Sequence, residues 1–152
     1  MEHLNLDNRT IDVSLVGLAN IINVLIVAIF LSRAGRKEDL EYYLGLAMVT
    51  LALPVLFIAV RNASTGREWW TAVLPILMVA FLCLELALDY VFKIKFRNTV
   101  YLWPYLVMFY LALMGLIGYA FLTSRLLGYV TLCTYFLGLL AAWYSYSKVG
   151  HG

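Results

Sequence analysis

Histidine is nearly missing from this chain: of 152 residues only His3 and His151 carry an imidazole, and they stand at opposite ends. With none inside a hydrophobic stretch, a haem or zinc centre ligated by histidine within a membrane is not expected, and no metal or cofactor is assigned. Cysteine is scarce too. Cys83 and Cys133 both fall in apolar stretches without a CxxC spacing, so they are expected to be buried packing residues with no redox role. Charge is low: 13% of residues are charged, against roughly 25% in soluble domains. A net charge of +2, with the basic residues gathered beside apolar runs, gives no reason to expect a nucleic-acid partner. The HExxH, GxSxG and DxxDG-type patterns of metal, nucleophile and phosphate chemistry are absent, which places an enzyme reading below a binding one. The opening MEHLNLDNRTID is polar and mixed in charge, unlike a cleavable signal, so the first apolar span is expected to stay in the mature protein.

Apolar residues are what remains, at 64% of the chain against roughly 45 to 50% for soluble domains. About 20 apolar residues carry a helix across a bilayer. Five stretches meet that need: Val13 to Leu31, Tyr42 to Val60, Thr71 to Phe92, Tyr101 to Leu122 and Leu127 to Tyr146. The expected fold is a single-domain, all-α bundle of five transmembrane helices. Its size and span count are similar to those of the tryptophan-rich sensory, or translocator, proteins. Their Trp- and Pro-rich signature stretches are absent here, so the likeness is architectural and carries no function.

Loop charges set the expected orientation. Arg33, Arg36, Lys37, Lys93, Lys95, Arg97 and Lys148 fall on one side, and Arg9, Arg61, Arg67 and Arg125 on the other. The excess places the first group in the cytoplasm, the N-terminus outside and the C-terminus inside, in a plasma or inner membrane. Asn8-Arg9-Thr10 and Asn62-Ala63-Ser64 fit the glycosylation triplet on the outer side. Within the spans, Pro54 predicts a kink that frees a carbonyl near Thr50, Pro75 falls in a first turn where it disturbs little, and Gly115 and Gly118 suit close helix packing.

Charge enters the apolar frame at one place, FLCLELALDYVFKIKFR from Phe81 to Arg97. On a helix Glu85, Asp89 and Lys93 form a row up one face. An ionised carboxylate at the depth of Glu85 costs at least about 2.5 to 3.5 kcal/mol, so a partner, a cavity or a bound proton is expected there. Asp89 has Lys93 one turn away and is the group expected to be ionised. Glu85, deeper and with no cation within four positions, is the one expected to bind and release a proton.

Asn20 and Asn23 share a face of the first span, either bonding helix to helix or joining a polar site with Glu85. Tyr90, Tyr105 and Tyr144 belong to an aromatic-rich half of the bundle and can donate to the acids. The candidate site is therefore Glu85, Asp89, Asn20, Asn23, Tyr90, Tyr105 and Tyr144.

Three functions compete. An intramembrane binding or transport protein would take a small molecule, lipid or proton in a pocket around Glu85 and Asp89. A non-catalytic subunit would have partners elsewhere in the membrane, as a homo-oligomer or within a complex. A lipid-modifying enzyme would use the two acids on one substrate. Five spans do not divide into two equal repeats, so an inverted-repeat transporter would need a dimer to complete it. The first reading leads.

Overall fold

The computed structural model describes residues 7–94 and 99–150; the expectations for His3, Lys95, Arg97 and His151 lie outside the described residues. Every element among the described residues is helical: α1 (Asn8–Ala34), α2 (Glu38–Thr50), α3 (Ala52–Ser64), α4 (Trp70–Glu85), a π-helical turn (Leu86–Val91), α5 (Leu102–Thr123) and α6 (Arg125–Val149). With α2 and α3 taken as one bent rod, and α4 with its π turn as another, five helices among the described residues are long and apolar enough to cross a membrane. The first, second and fifth exceed their hydropathy-defined stretches by a few residues at both ends, whereas the third begins one residue early and stops one residue short at Val91, and the fourth is shifted by one residue to Leu102–Thr123. Hydropathy marks the apolar middle of a helix, whereas its ends are fixed by capping and turn geometry.

Consecutive helices pack on one another, and α6 closes the ring against α1, its most extensive partner. Leu15, Ile22, Val55, Met78, Phe81, Leu82 and Tyr119 are fully buried along the shared axis. Many large apolar side chains instead face outward, among them Leu53, Phe57, Trp103, Leu126 and Trp143. An outer surface of this kind suits hydrocarbon and not water. Cys83 and Cys133 join that outer surface. This corrects their expected burial: helical phase, which hydropathy ignores, sets which side of a span a residue faces.

Pro54 and Pro75 each act through the carbonyl four residues back, whose donor they remove. Pro54 does so at Thr50, and the rod breaks there: Leu51 N–H turns back to Met48 O at 3.1 Å, and the Thr50 hydroxyl donates to Ala47 O at 2.7 Å. Pro75 is not in a first turn, because α4 starts at Trp70 and places it a turn deeper. The carbonyl it frees belongs to Thr71, and the Asn62 amide of α3 donates to it at 2.9 Å.

Two turns matter to the sites. After α3, Gly66 takes a left-handed conformation (φ 64°), and Gly66 and Arg67 N–H close onto the Ala63 and Asn62 carbonyls. This Schellman closure turns Arg67 back toward the bundle. After α1 the same pattern recurs, but the left-handed position is held by Arg36 (φ 54°) with Gly35 one residue too early. Glycine is needed by packing at Gly128, where an added Cβ would run into the Phe121 ring. That contact fastens α5 to α6 beside their one-residue connection at Ser124.

Candidate functional site

Glu85 ends α4, and the chain then winds for six residues as a π turn. A π turn spaces its bonds five residues apart, so Asp89 does not continue the α-helical row above Glu85. Lys93 lies beyond the helix altogether, with a left-handed backbone (φ 50°). The expected row of Glu85, Asp89 and Lys93 is thus broken, because residue spacing gives the phase of a helix only while its period holds.

Glu85 points inward and is 8% exposed. The Tyr105 hydroxyl of α5 donates to its Oε2 at 2.5 Å. Beside it opens a partly enclosed cavity of about 410 Å³, bounded by α1, α2, α4, α5 and α6 in the half of the bundle that holds Arg33. Its walls are mainly apolar and aromatic, with Asn23, Arg33 and Glu85 as the polar exceptions apart from tyrosine hydroxyls.

A second chamber of about 170 Å³ adjoins it between α1, α2 and the π turn. Ile29, Arg33 and Glu85 border both spaces and so stand where the two meet. Asp89 and Tyr90 face the smaller chamber. The Tyr90 hydroxyl donates to the Tyr42 carbonyl at 3.1 Å, passing so close to Gly45 that a Cβ there would collide with it.

Among the described residues, Arg33 is the cation that borders both chambers. Its Nε and Nη2 both donate to Glu41 Oε1, at 2.9 and 2.6 Å, and its Cζ lies 5.4 Å from the Phe30 ring centre. The Arg33 side chain is 10% exposed and that of Glu41 28%, so the ion pair is only partly shielded from water.

The remaining candidates separate. Asn20 donates to Thr131 Oγ1 at 3.0 Å and accepts from Thr134 Oγ1 at 2.8 Å, while Asn23 donates to Thr134 Oγ1 at 2.9 Å and to Thr131 O at 3.3 Å. These bonds lace α1 to α6, which is the packing role. Asn23 also borders the larger cavity, whereas Asn20 does not. Tyr144 is 45% exposed, points away from both chambers and lies beneath Lys148 Nζ at 5.8 Å. Tyr110, Tyr135 and Tyr146 line the cavity instead, a choice that only the phase of α5 and α6 could make.

At the opposite end of the bundle is a polar cluster that the sequence reading did not assemble. Arg67 Nη1 and Nη2 donate to Asp12 Oδ1 and Oδ2, each at 2.8 Å, and the Tyr119 hydroxyl donates to Asp12 Oδ1 at 2.5 Å. Arg67 Nη1 also reaches Asn62 Oδ1 at 3.0 Å. The Asp12 hydrogen bond and charge push the Arg67 guanidinium above its ordinary pKa, against burial, which acts the other way.

One turn of α1, the α3–α4 connection and α5 are thereby tied together. Asn62 is fully buried in the cluster, so the triplet Asn62-Ala63-Ser64 is closed to a glycan. Gly66 after a helix, followed by a basic residue, is the one local signal for the turn; the pairing with Asp12 has none. Among the described residues, no group of histidine, cysteine and carboxylates could hold a metal ion. No protein-family model, curated protein or solved structure matches the chain.

Proposed function

We propose that this is a multi-pass membrane protein that binds, and passes across the bilayer, a small molecule with an apolar body and a polar head. The supporting observation is the cavity beside Glu85. Its volume of about 410 Å³ falls within the roughly 300 to 1,000 Å³ of ligand sites, and its mainly apolar walls carry a few placed polar groups. Ligand sites between the helices of a bundle are commonly of this make.

The two ends of the bundle differ in a way that suits passage. At the Arg67 end the bidentate ion pair, the Tyr119 hydroxyl and the Phe121–Gly128 contact close the space between helices. At the Arg33 end α2 barely meets α4, although α3 packs along it, and the cavity lies where the helices part. A carrier needs such a pair of ends, one sealed while the other admits ligand. Glu85, where the two chambers meet, is the group that takes the polar head or the proton exchanged for it.

Native mass spectrometry of protein released from its membrane in mild detergent tests this reading. Gly138 faces the cavity, and a Cβ there meets only Ile26 Cγ2 at 3.7 Å, so Gly138→Leu fills the space without a backbone clash. The expected result is a reproducible small molecule or lipid carried by the wild type and lost in Gly138→Leu. Bare protein in both would overturn the proposal.

A further inference from the structure

We infer that the ligand of the Glu85 cavity is a lipophilic monocation, an amine or quaternary ammonium group on an apolar body. The inference rests on the proposed binding role and adds the chemical class. Ammonium groups are recognised by the negative faces of aromatic rings, most strongly where water is excluded. The cavity wall provides such rings in a connected set. Tyr105 and Phe81 lie 5.7 Å apart, Phe81 and Phe109 5.3 Å, and Phe109 and Tyr110 5.2 Å, in tilted or edge-to-face contacts. Contacts of that kind do not cover both faces of every ring, as a stack would.

The same wall ends in a carboxyl group. Tyr105 belongs to the aromatic set and donates its hydroxyl to Glu85 Oε2, so the rings and the acid form one surface. The region already holds one cation in this manner, Arg33 over Phe30 at 5.4 Å. Among the described residues that line the cavity, the cation open to an anionic head is Arg33, and Nε and Nη2 of that guanidinium are committed to Glu41. Breaking this partly buried, two-bond ion pair to take a ligand is costly. The chemistry therefore favours a positive head toward Glu85, with the apolar body in the cavity. A choline headgroup from the bilayer and a free amine share this chemistry.

The test is calorimetric titration of the whole protein in phosphatidylglycerol nanodiscs, with protein-free discs subtracted. Three probes of one shape are compared: benzyltrimethylammonium, its uncharged isostere neopentylbenzene, and the anion phenylmethanesulfonate. The expected result is saturable binding of the cation that Glu85→Gln weakens by about tenfold, the scale of a desolvated cation contact, with neopentylbenzene affected less than about twofold.

Phe109→Leu, which removes a ring and no charge, is expected to weaken the cation selectively as well. Because the probes are also ranked on the wild type, the outcome does not depend on the variants folding. Equal binding of cation and neutral isostere by both wild type and Glu85→Gln, or preference for the sulfonate, would overturn the cation class and leave the cavity-binding reading standing. Saturable binding of none of the three, with Gly138→Leu also without effect on carried ligand, would remove both. Repetition in phosphatidylcholine nanodiscs separates the sources: a lower apparent affinity there assigns a lipid headgroup, and an unchanged one a free amine.

Discussion

Asn62 holds three partners at once: its amide reaches Thr71 O and the Tyr119 hydroxyl, and its carbonyl accepts from Arg67. The bond to Thr71 exists because Pro75 removed the usual donor. A double-mutant cycle isolates that link. Asn62→Ala is expected to cost about 1 to 3 kcal/mol, the usual penalty for leaving buried polar groups unsatisfied. In a Pro75→Ala background the restored N–H can take the Thr71 carbonyl, and the same substitution is expected to cost about 1 kcal/mol less. Unfolding in mild detergent reads both; equal costs in the two backgrounds would mean that the carbonyl was satisfied in some other way. Arg67→Ala leaves Asp12 without its cation at a side-chain exposure of 15% and is expected to cost about 2 kcal/mol, below the roughly 3 to 5 kcal/mol of a fully buried pair because neither partner is fully enclosed and Tyr119 still donates to Asp12. Asp12→Asn with Arg67→Ala is expected to be less harmful than the two single costs added.

At the scale of the element, the two helix-ending turns after α1 and α3 differ in one residue. Gly66 occupies the left-handed position after α3, whereas Arg36 occupies it after α1. A side chain there costs about 1 to 2 kcal/mol, partly offset by the greater freedom of glycine in the unfolded chain. Arg36→Gly is therefore expected to raise the melting temperature, by about 0.5 to 1 kcal/mol of stability, and a fall would show that the Arg36 side chain makes a compensating contact. Gly45→Val tests the π turn from the other side. A Cβ at Gly45 collides with the Tyr90 hydroxyl, so the turn must shift and its bond to Tyr42 O must go. The expected outcome is altered ligand binding at Glu85 with α2 intact by circular dichroism.

These elements also mark how far the sequence could be read. The spans were legible because apolar runs long enough for a bilayer have few other uses. The Tyr105–Glu85 contact was legible in kind, since a deep acid requires a donor. The π turn was not, because no residue in Leu86–Val91 announces a change of helical period. Nor was the Asp12–Arg67 pair, which joins residues that hydropathy had placed in two separate polar ends.

For the whole molecule, alternation of the helices follows from contacts between their ends. Asn8 meets Arg61, Asp12 meets Arg67 and Tyr119 at one end, while Arg33 meets Glu41 and Tyr42 meets Tyr90 at the other. With five such helices, the described chain starts at one end of the bundle and finishes at the other. Orientation depends on the basic residues that flank the spans, with acidic ones contributing little. Arg33, Arg36, Lys37, Lys93 and Lys148 fall at one end among the described residues, against Arg9, Arg61, Arg67 and Arg125 at the other. The expected orientation places Ser64 outside and Lys37 in the cytoplasm. Because Cys83 and Cys133 face outward and pack little, replacing both with alanine is expected to leave the bundle intact. Single cysteines at Ser64 or Lys37 in that background can then be labelled in intact cells with a membrane-impermeant maleimide. Labelling of Ser64→Cys in intact cells, and of Lys37→Cys only after permeabilisation, is the expected pattern. The reverse would place the Glu85 cavity toward the outer leaflet, so that the first substrates to reach it would come from outside the cell.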